Sequence, residues 1–548
     1  MAAQQIYHRA GGLVLLLADV FLRPTQKPGE DIDPQLPTRP AVKLFMGWPR
    51  LERVAQLLAL LAFAWLLLLH LLMVVTEAPM EMRDGAMLAT TAALLDGRNP
   101  YAIDGLMQTG NVYGIGYNLA VLPFAWLLGP GFLAHRLVSA LAIFGACLLL
   151  YRWLRAASVG RLDALLGTGL AYAGFIYYTG GVARPDGLGL LLMLAAIETL
   201  RRDDCKARGF AACLGLSLLG LACKLYYVWP AFAAAAYVFL WRGRRRGLVY
   251  GAAAIAATAA ALLLMQALLP GYGPLVLVGN LRDTDYAPFY LLQQSRDWLV
   301  FELPLIAGFA LALLAVRPAL RAAGLFGGFS LLGAAVLLLL LGGHTGAHLS
   351  YYFQLLTPSF TVVALSLAAR HRLAMTIFRL TLPIAVLANA HWFPLDPLRI
   401  ARAGESYSAI TRSIAGEGAV LATLEFTGAL IAGHRPVADT GHSVYLGNAI
   451  RPTPVPLQRV LPPLSEITAE WDRENATIRD GIAAQHYDVA LIGATDSLFP
   501  MDLLAADYEK AGSVLIDMAW AQQRWPVTIW RPRRPPSGVS ATASQRPR

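Results

Sequence analysis

Charged residues are what this sequence has least of. Only 15% of its 548 residues are charged and 57% are hydrophobic, against roughly 25% charged in a soluble globular chain. A purely soluble body is excluded. Cysteine is equally sparse: Cys147, Cys205, Cys213 and Cys223 lie within or beside apolar segments without CxxC spacing, so neither a disulfide framework nor a cysteine metal site is indicated. No internal repeat is visible, which disfavours the paired half-chains of many transporters. The apolar run from Gly11 to Leu22 is interrupted by Asp19 and is followed by no A-x-A site, so it reads as a short surface helix and not as a cleaved signal.

Long apolar runs take the place of charge. Twelve lie between Val54 and Ala390, from Val54–Val75 to Leu373–Ala390, many near the ~18 apolar residues that can cross a bilayer. The formal charge of +10 sits in arginine clusters between these runs, so it reports topology and not a nucleic-acid partner. Arg50 and Arg53 flank the first span and place the N-terminal segment, residues 1–53, in the cytoplasm. If the Ile115–Leu128 run, broken by Gly116 and Pro123, dips in without crossing, every basic cluster falls inside and eleven full crossings remain. The fold class is therefore a polytopic α-helical membrane protein of about 11 to 13 membrane helices with a small C-terminal α/β soluble domain. The membrane domain is expected over 54–392, with an outer loop at 77–114. The α/β domain, over 393–532, carries strands at VLATL, YDVALIG and VTIW on the outer side of the inner (plasma) membrane, and 533–548 forms a disordered tail.

On this topology the polar residues collect on one side. Asp84-Gly85 opens a short helix that ends near Gly97 and Pro100; Asp84 reads both as an N-cap and as an acid at a membrane exit, with Glu81 one turn earlier. Carboxylates near a low-dielectric boundary suit proton abstraction. In RPDG, Arg184 and Asp186 stand at the start of a span, where Pro and Asp also make an ordinary helix opening. Lys224, followed by Tyr226, Tyr227 and Trp229, is either a snorkelling anchor in an aromatic belt or, with Arg184, a binder of lipid phosphate. His344 and His348 are spaced i, i+4 but flanked by glycines, and His348 near Tyr351 could contact phosphate or sugar. Asp283 and Asp285 after Arg282 read as a solvated loop. Glu81, Asp84 and Asp186 are thus the catalytic candidates; Arg184, Lys224 and His348 the phosphate ligands; Tyr101, Tyr226 and Tyr351 the substrate contacts. No metal ligand is assigned, although a divalent metal is left open as a cofactor.

The first outer stretch, an acid followed by Gly, a helix of small and apolar residues and then LLDGRNPY, resembles that of the GT-C-fold glycosyltransferases, which take a sugar from a polyprenyl-phosphate donor. They include the protein O-mannosyltransferases and the aminoarabinose transferases. In many of them the pattern runs DEG, a helix, then LLxGxxPY; Asp84 matches the second acid, and Arg83 replaces the first unless Glu81 substitutes. RPDG, the Lys224 region and YYFQLLTP also look like family positions, and the architecture matches across about 54 to 392. The resemblance implies an inverting transfer from a polyprenyl-phosphate-linked sugar to a glycan, lipid or protein acceptor at the bilayer, with Asp84 as base. The alternatives are a transporter or flippase of a lipid-linked or anionic substrate, or a non-enzymatic scaffold.

Overall fold

The structure is a computed structural model that describes residues 49–80, 84–104, 111–176, 182–279, 287–315, 324–343, 349–388, 397–414, 416–422, 437–439, 464–493, 501–517 and 524–533. The 11–22 helix, the Arg282 to Asp285 loop and the tail from 534 lie outside these residues. In chain order the helices are α1 (Pro49–Val75), α2 (Asp84–Leu95), α3 (Gly116–Leu128), α4 (Phe132–Ala156), α5 (Arg161–Phe175), α6 (Asp186–Arg202), α7 (Ala207–Cys223), α8 (Trp229–Trp241), α9 (Arg244–Leu268), α10 (Pro288–Phe301), α11 (Leu303–Ala315), α12 (Gly324–Val336), α13 (Ser350–Leu355), α14 (Thr357–Ala368), α15 (Arg372–Ala388), α16 (Pro397–Ser413), α17 (Ser465–Ala483) and α18 (Met501–Asp507). Among the described residues four helical segments are long and apolar enough to cross a membrane: α1, α4, α9 and Gly324–Leu341. The 13 residues of α3, with Pro123 inside, reach about 20 Å, short of a ~30 Å hydrocarbon core.

Two compact units result, one drawn from Met1–Leu66, Cys147–Gly174 and Ala287–Asn389, the other from Leu67–Ala146, Phe175–Tyr286 and Ala390–Arg548. In the first, charges are paired where helices begin. Arg379 of α15 lies 2.5 Å from Asp163 in the first turn of α5 and also meets Glu52 of α1, which Arg372 reaches at 3.2 Å. These pairs fasten three helix starts together. Glu302, fully buried between α10 and α11, accepts from Thr357 at 2.9 Å, and Thr357 accepts from the Trp298 indole at 3.0 Å. Close packing also demands Gly174, since a Cβ there would lie 2.6 Å from the Phe353 ring.

The second unit is built on α2. Its residues are apolar or small on every side, so the helix presents no polar face, and Asp84 through Ala93 are all buried. A five-stranded sheet in order β2-β1-β3-β5-β4 comprises β1 (Val420–Ala422), β2 (Val437–Asp439), β3 (Val489–Gly493), β4 (Tyr508–Asp517) and β5 (Arg524–Pro532). β1 runs parallel to β2 and β3, whereas β5 runs antiparallel to β3 and β4. Alternation along each strand sends residues to two faces. Val420, Ala422, Val489, Leu491 and Val527 join one core with Ala403, Tyr407 and Ile410 of α16 and with Met87 and Leu88 of α2. Leu421, Ala490 and Ile492 face Ile478 and Ile482 of α17 and Leu504 of α18. The sheet therefore shares its core with the helix that Asp84 opens.

Truncating this shared core tests the packing. Leu491→Ala, at a fully buried position, removes apolar contacts and leaves a cavity worth about 2–5 kcal/mol. Leu515→Ala, at a side chain 53% exposed on β4, stays within about 0.5 kcal/mol. Thermal unfolding of the detergent-purified protein should show a large fall in midpoint for the first variant and almost none for the second.

Candidate functional site

Asp84 is fully buried, and both of its carboxylate oxygens are committed. Oδ2 accepts from the Met80 amide at 2.9 Å and from Arg136 Nη2 at 3.0 Å, while Oδ1 accepts from the Ala183 amide at 2.9 Å. Arg136, near the start of α4, is buried as well. It donates to Met73 O at 3.2 Å and to the carbonyls of Thr76 and Ala78, gathering acceptors left over where α1 ends, and its guanidinium lies 4.7 Å from the Phe132 ring centroid. One ion pair thus ties together the end of α1, the start of α2, α4 and the turn before α6. Arg136 stands one residue ahead of the run read as Leu137–Leu154, and the rarity of such an intramembrane charge is the signal that could have found it.

From Ala183 the chain leads directly into a second cluster. Arg184 and Asp186 are buried at the head of α6; Lys224, in extended conformation (φ −158°) just past α7, projects toward them. Lys224 Nζ lies 3.1 Å from Asp186 Oδ1, the Tyr226 hydroxyl donates to the same oxygen at 3.1 Å, and Arg184 Nε lies 3.5 Å from Asp186 Oδ2. Tyr113, which the sequence reading missed, joins both cations. Its hydroxyl accepts from Arg184 Nη2 at 2.6 Å, and its ring centroid lies 5.1 Å from Lys224 Nζ, matched by Tyr226 at 5.1 Å. Lys224 is held between two aromatic faces, an arrangement that stabilises a cation without neutralising it.

Local backbone geometry explains why Tyr113 arrives there. Asn111 Oδ1 accepts from the Tyr113 amide at 2.8 Å, turning the chain, and the Gly114 amide donates to Cys223 O at 3.1 Å, one residue before Lys224. Only glycine fits at 114, because a Cβ would stand 2.1 Å from the Ala222 carbonyl oxygen. Beneath this turn, Tyr101 donates to Tyr113 O at 2.7 Å and packs its ring 5.2 Å from that of Tyr272. Burial pushes the Tyr101 phenol well above its usual range, so it remains a neutral donor.

The structure therefore brings together Arg184, Asp186, Lys224 and Tyr226, adds Tyr113, and links Asp84 to them through the Ala183 backbone. Tyr101 serves as a strut under Tyr113, its hydroxyl spent on a backbone carbonyl. Tyr351 is half-buried on α13 in the other unit. Glu81, His344 and His348 lie outside the described residues. Among those described, no three His, Cys, Asp or Glu side chains gather as a metal site.

ArnT from Cupriavidus metallidurans in the apo state, an aminoarabinose transferase of GT-C fold, matches this chain with a TM-score of 0.55 over 86% of this chain and 97% of its own, at 13% identity. The chain shares that fold. The resemblance to the GT-C-fold glycosyltransferases is thereby met at the level of the fold. A second ArnT structure from the same organism, bound to undecaprenyl phosphate, gives a TM-score of 0.48 at 14% identity over 88% and 98% of the two chains. No protein-family model and no curated protein matches the sequence.

The double commitment of Asp84 has a measurable consequence. In Asp84→Asn one amide nitrogen must face a donor whichever way the side chain turns, and Arg136 loses its counter-charge, so the variant should lose about 3–5 kcal/mol. A large fall in the thermal midpoint is the expected result. An Asn variant as stable as wild type would show that the carboxylate is not held by these three donors.

Proposed function

We propose that this chain is an integral membrane glycosyltransferase that moves a sugar from a polyprenyl-phosphate donor to a hydroxyl acceptor on the outer face of the membrane, with inversion. The observation that carries this reading is the buried Arg184 and the part-buried Lys224 gathered on Asp186, set in a GT-C-like fold. Two cations brought side by side at the head of one helix suit a phosphate that gains charge as it leaves.

In the reaction, the acceptor hydroxyl gives its proton to a carboxylate, and its oxygen attacks the anomeric carbon. The bond between that carbon and the phosphate oxygen breaks, and its electron pair leaves with the phosphate, which Arg184 and Lys224 stabilise. A base must be within reach of the acceptor hydroxyl. Asp84 is fully buried, with its oxygens accepting from two amides and Arg136, and Asp186 lies against the two cations. We therefore move the base from Asp84 to Glu81, one turn earlier in the 77–114 stretch, and treat Asp84 as the residue that positions Ala183 and Arg184. His348 remains a candidate third ligand for the phosphate, and the C-terminal sheet covers the acceptor side.

Transfer of radiolabelled sugar from a pool of polyprenyl-phosphate sugars tests both roles. Glu81→Gln should bind donor normally and lose at least 10²-fold in turnover, the scale of general-base catalysis. Lys224→Ala should weaken donor binding, and Lys224→Arg should restore part of it. Undiminished transfer by Glu81→Gln would relocate the base, and unchanged donor affinity in Lys224→Ala would leave that lysine an interfacial anchor.

Sidedness is tested separately. Because the sheet shares a core with α2, the α/β portion lies on the face where Asp84 sits. A cysteine at the exposed Asp472 should react with an impermeant thiol reagent in intact cells. Labelling only after lysis would reverse the orientation.

A further inference from the structure

We propose that the α6–α7 and α8–α9 turns together form a docking platform for anionic phospholipid headgroups, separate from the Arg184–Lys224 site. The two turns are joined by three contacts. Arg242 pairs with Asp204 at 2.6 Å, the Tyr250 hydroxyl donates to Cys205 O at 3.3 Å, and the Phe210 and Tyr250 rings stack 3.9 Å apart at 7°. Eight basic residues, Arg201, Arg202, Lys206, Arg208, Arg242 and Arg244 to Arg246, thereby meet three acids, Glu198, Asp203 and Asp204.

Each of those acids is already engaged. Glu198 accepts from both Arg201 and Arg202, Asp203 accepts from the Gly209 amide at 2.7 Å, and Asp204 holds Arg242. No acid occupies the first turn of α7 or α9. Lys206, Arg208, Arg244, Arg245 and Arg246 are all exposed and, among the described residues, form no ion pair. The surface thus presents five exposed cations that external anions can reach.

The position of the patch identifies the partner. Leu248 and Val249 follow Arg246 across Gly247, and with Ile255, Leu263, Leu264 and Leu268 they expose an apolar flank along α9. A lipid whose chains lie along that flank brings its phosphate to the level of the platform. Zwitterionic headgroups offer no net charge there, whereas phosphatidylglycerol or cardiolipin does, at about 1 kcal/mol, or roughly fivefold in affinity, per basic residue.

The test is titration of the full-length protein, purified in neutral detergent, with phosphatidylglycerol or phosphatidylcholine of identical chains, read by native mass spectrometry and by thermal midpoint. Phosphatidylglycerol should bind more tightly and raise the midpoint. Arg244→Gln/Arg245→Gln/Arg246→Gln should erase the preference, and the triple Arg→Lys variant should retain it. Lys206→Gln/Arg208→Gln, which leaves α9 untouched, should reduce the preference partially and serves if the triple variant inserts poorly. Equal affinity for the two lipids, a preference unchanged in the Gln variants, or equal stabilisation by free glycerol phosphate would each overturn the proposal.

Discussion

A charge buried without a partner costs several kcal/mol, and the Asp84–Arg136 pair satisfies two at once in a setting from which water is excluded. The pair needs additional hydrogen bonds to be worthwhile, and it has them: carbonyls at the end of α1 for the guanidinium, and the amides of Met80 and Ala183 for the carboxylate. These partners come from two stretches of chain, residues 73–80 and the turn at Ala183. Removing either charge would therefore loosen the start of α2 and the turn that carries Arg184 together, which makes this pair the joint of the second unit.

The cluster beyond it follows a different rule. Arg184 and Lys224 share the Asp186 carboxylate, and the rings and hydroxyls of Tyr113 and Tyr226 lie against them as well, groups that favour cations but bring no full negative charge. Tyr113 joins the two cations from one side while Asp186 holds them from the other.

The sheet reinforces the same region through strand periodicity. Successive residues of β3 point alternately toward α2 and α16 or toward α17 and α18, so one strand serves two cores. An apolar helix such as α2 needs cover on all sides, and α3 and the sheet face contribute to it. Asp84 owes its dryness to that cover.

Much of this was legible in order along the chain. Composition alone required a membrane protein, and Asp84-Gly85, RPDG and Lys224 were recognisable because charge is rare in apolar surroundings. The joint of Asp84 with Arg136, the aromatic clasp of Tyr113 and the demotion of Tyr101 to a strut were not legible. Those depend on residues 52, 71 and 12 positions apart, respectively, meeting in space. A sequence records where a charge sits and how apolar its neighbours are, and thus that it must find a partner. Which partner it finds, and whether a carboxylate lies open or is buried among donors, is decided only when helices distant in sequence pack together.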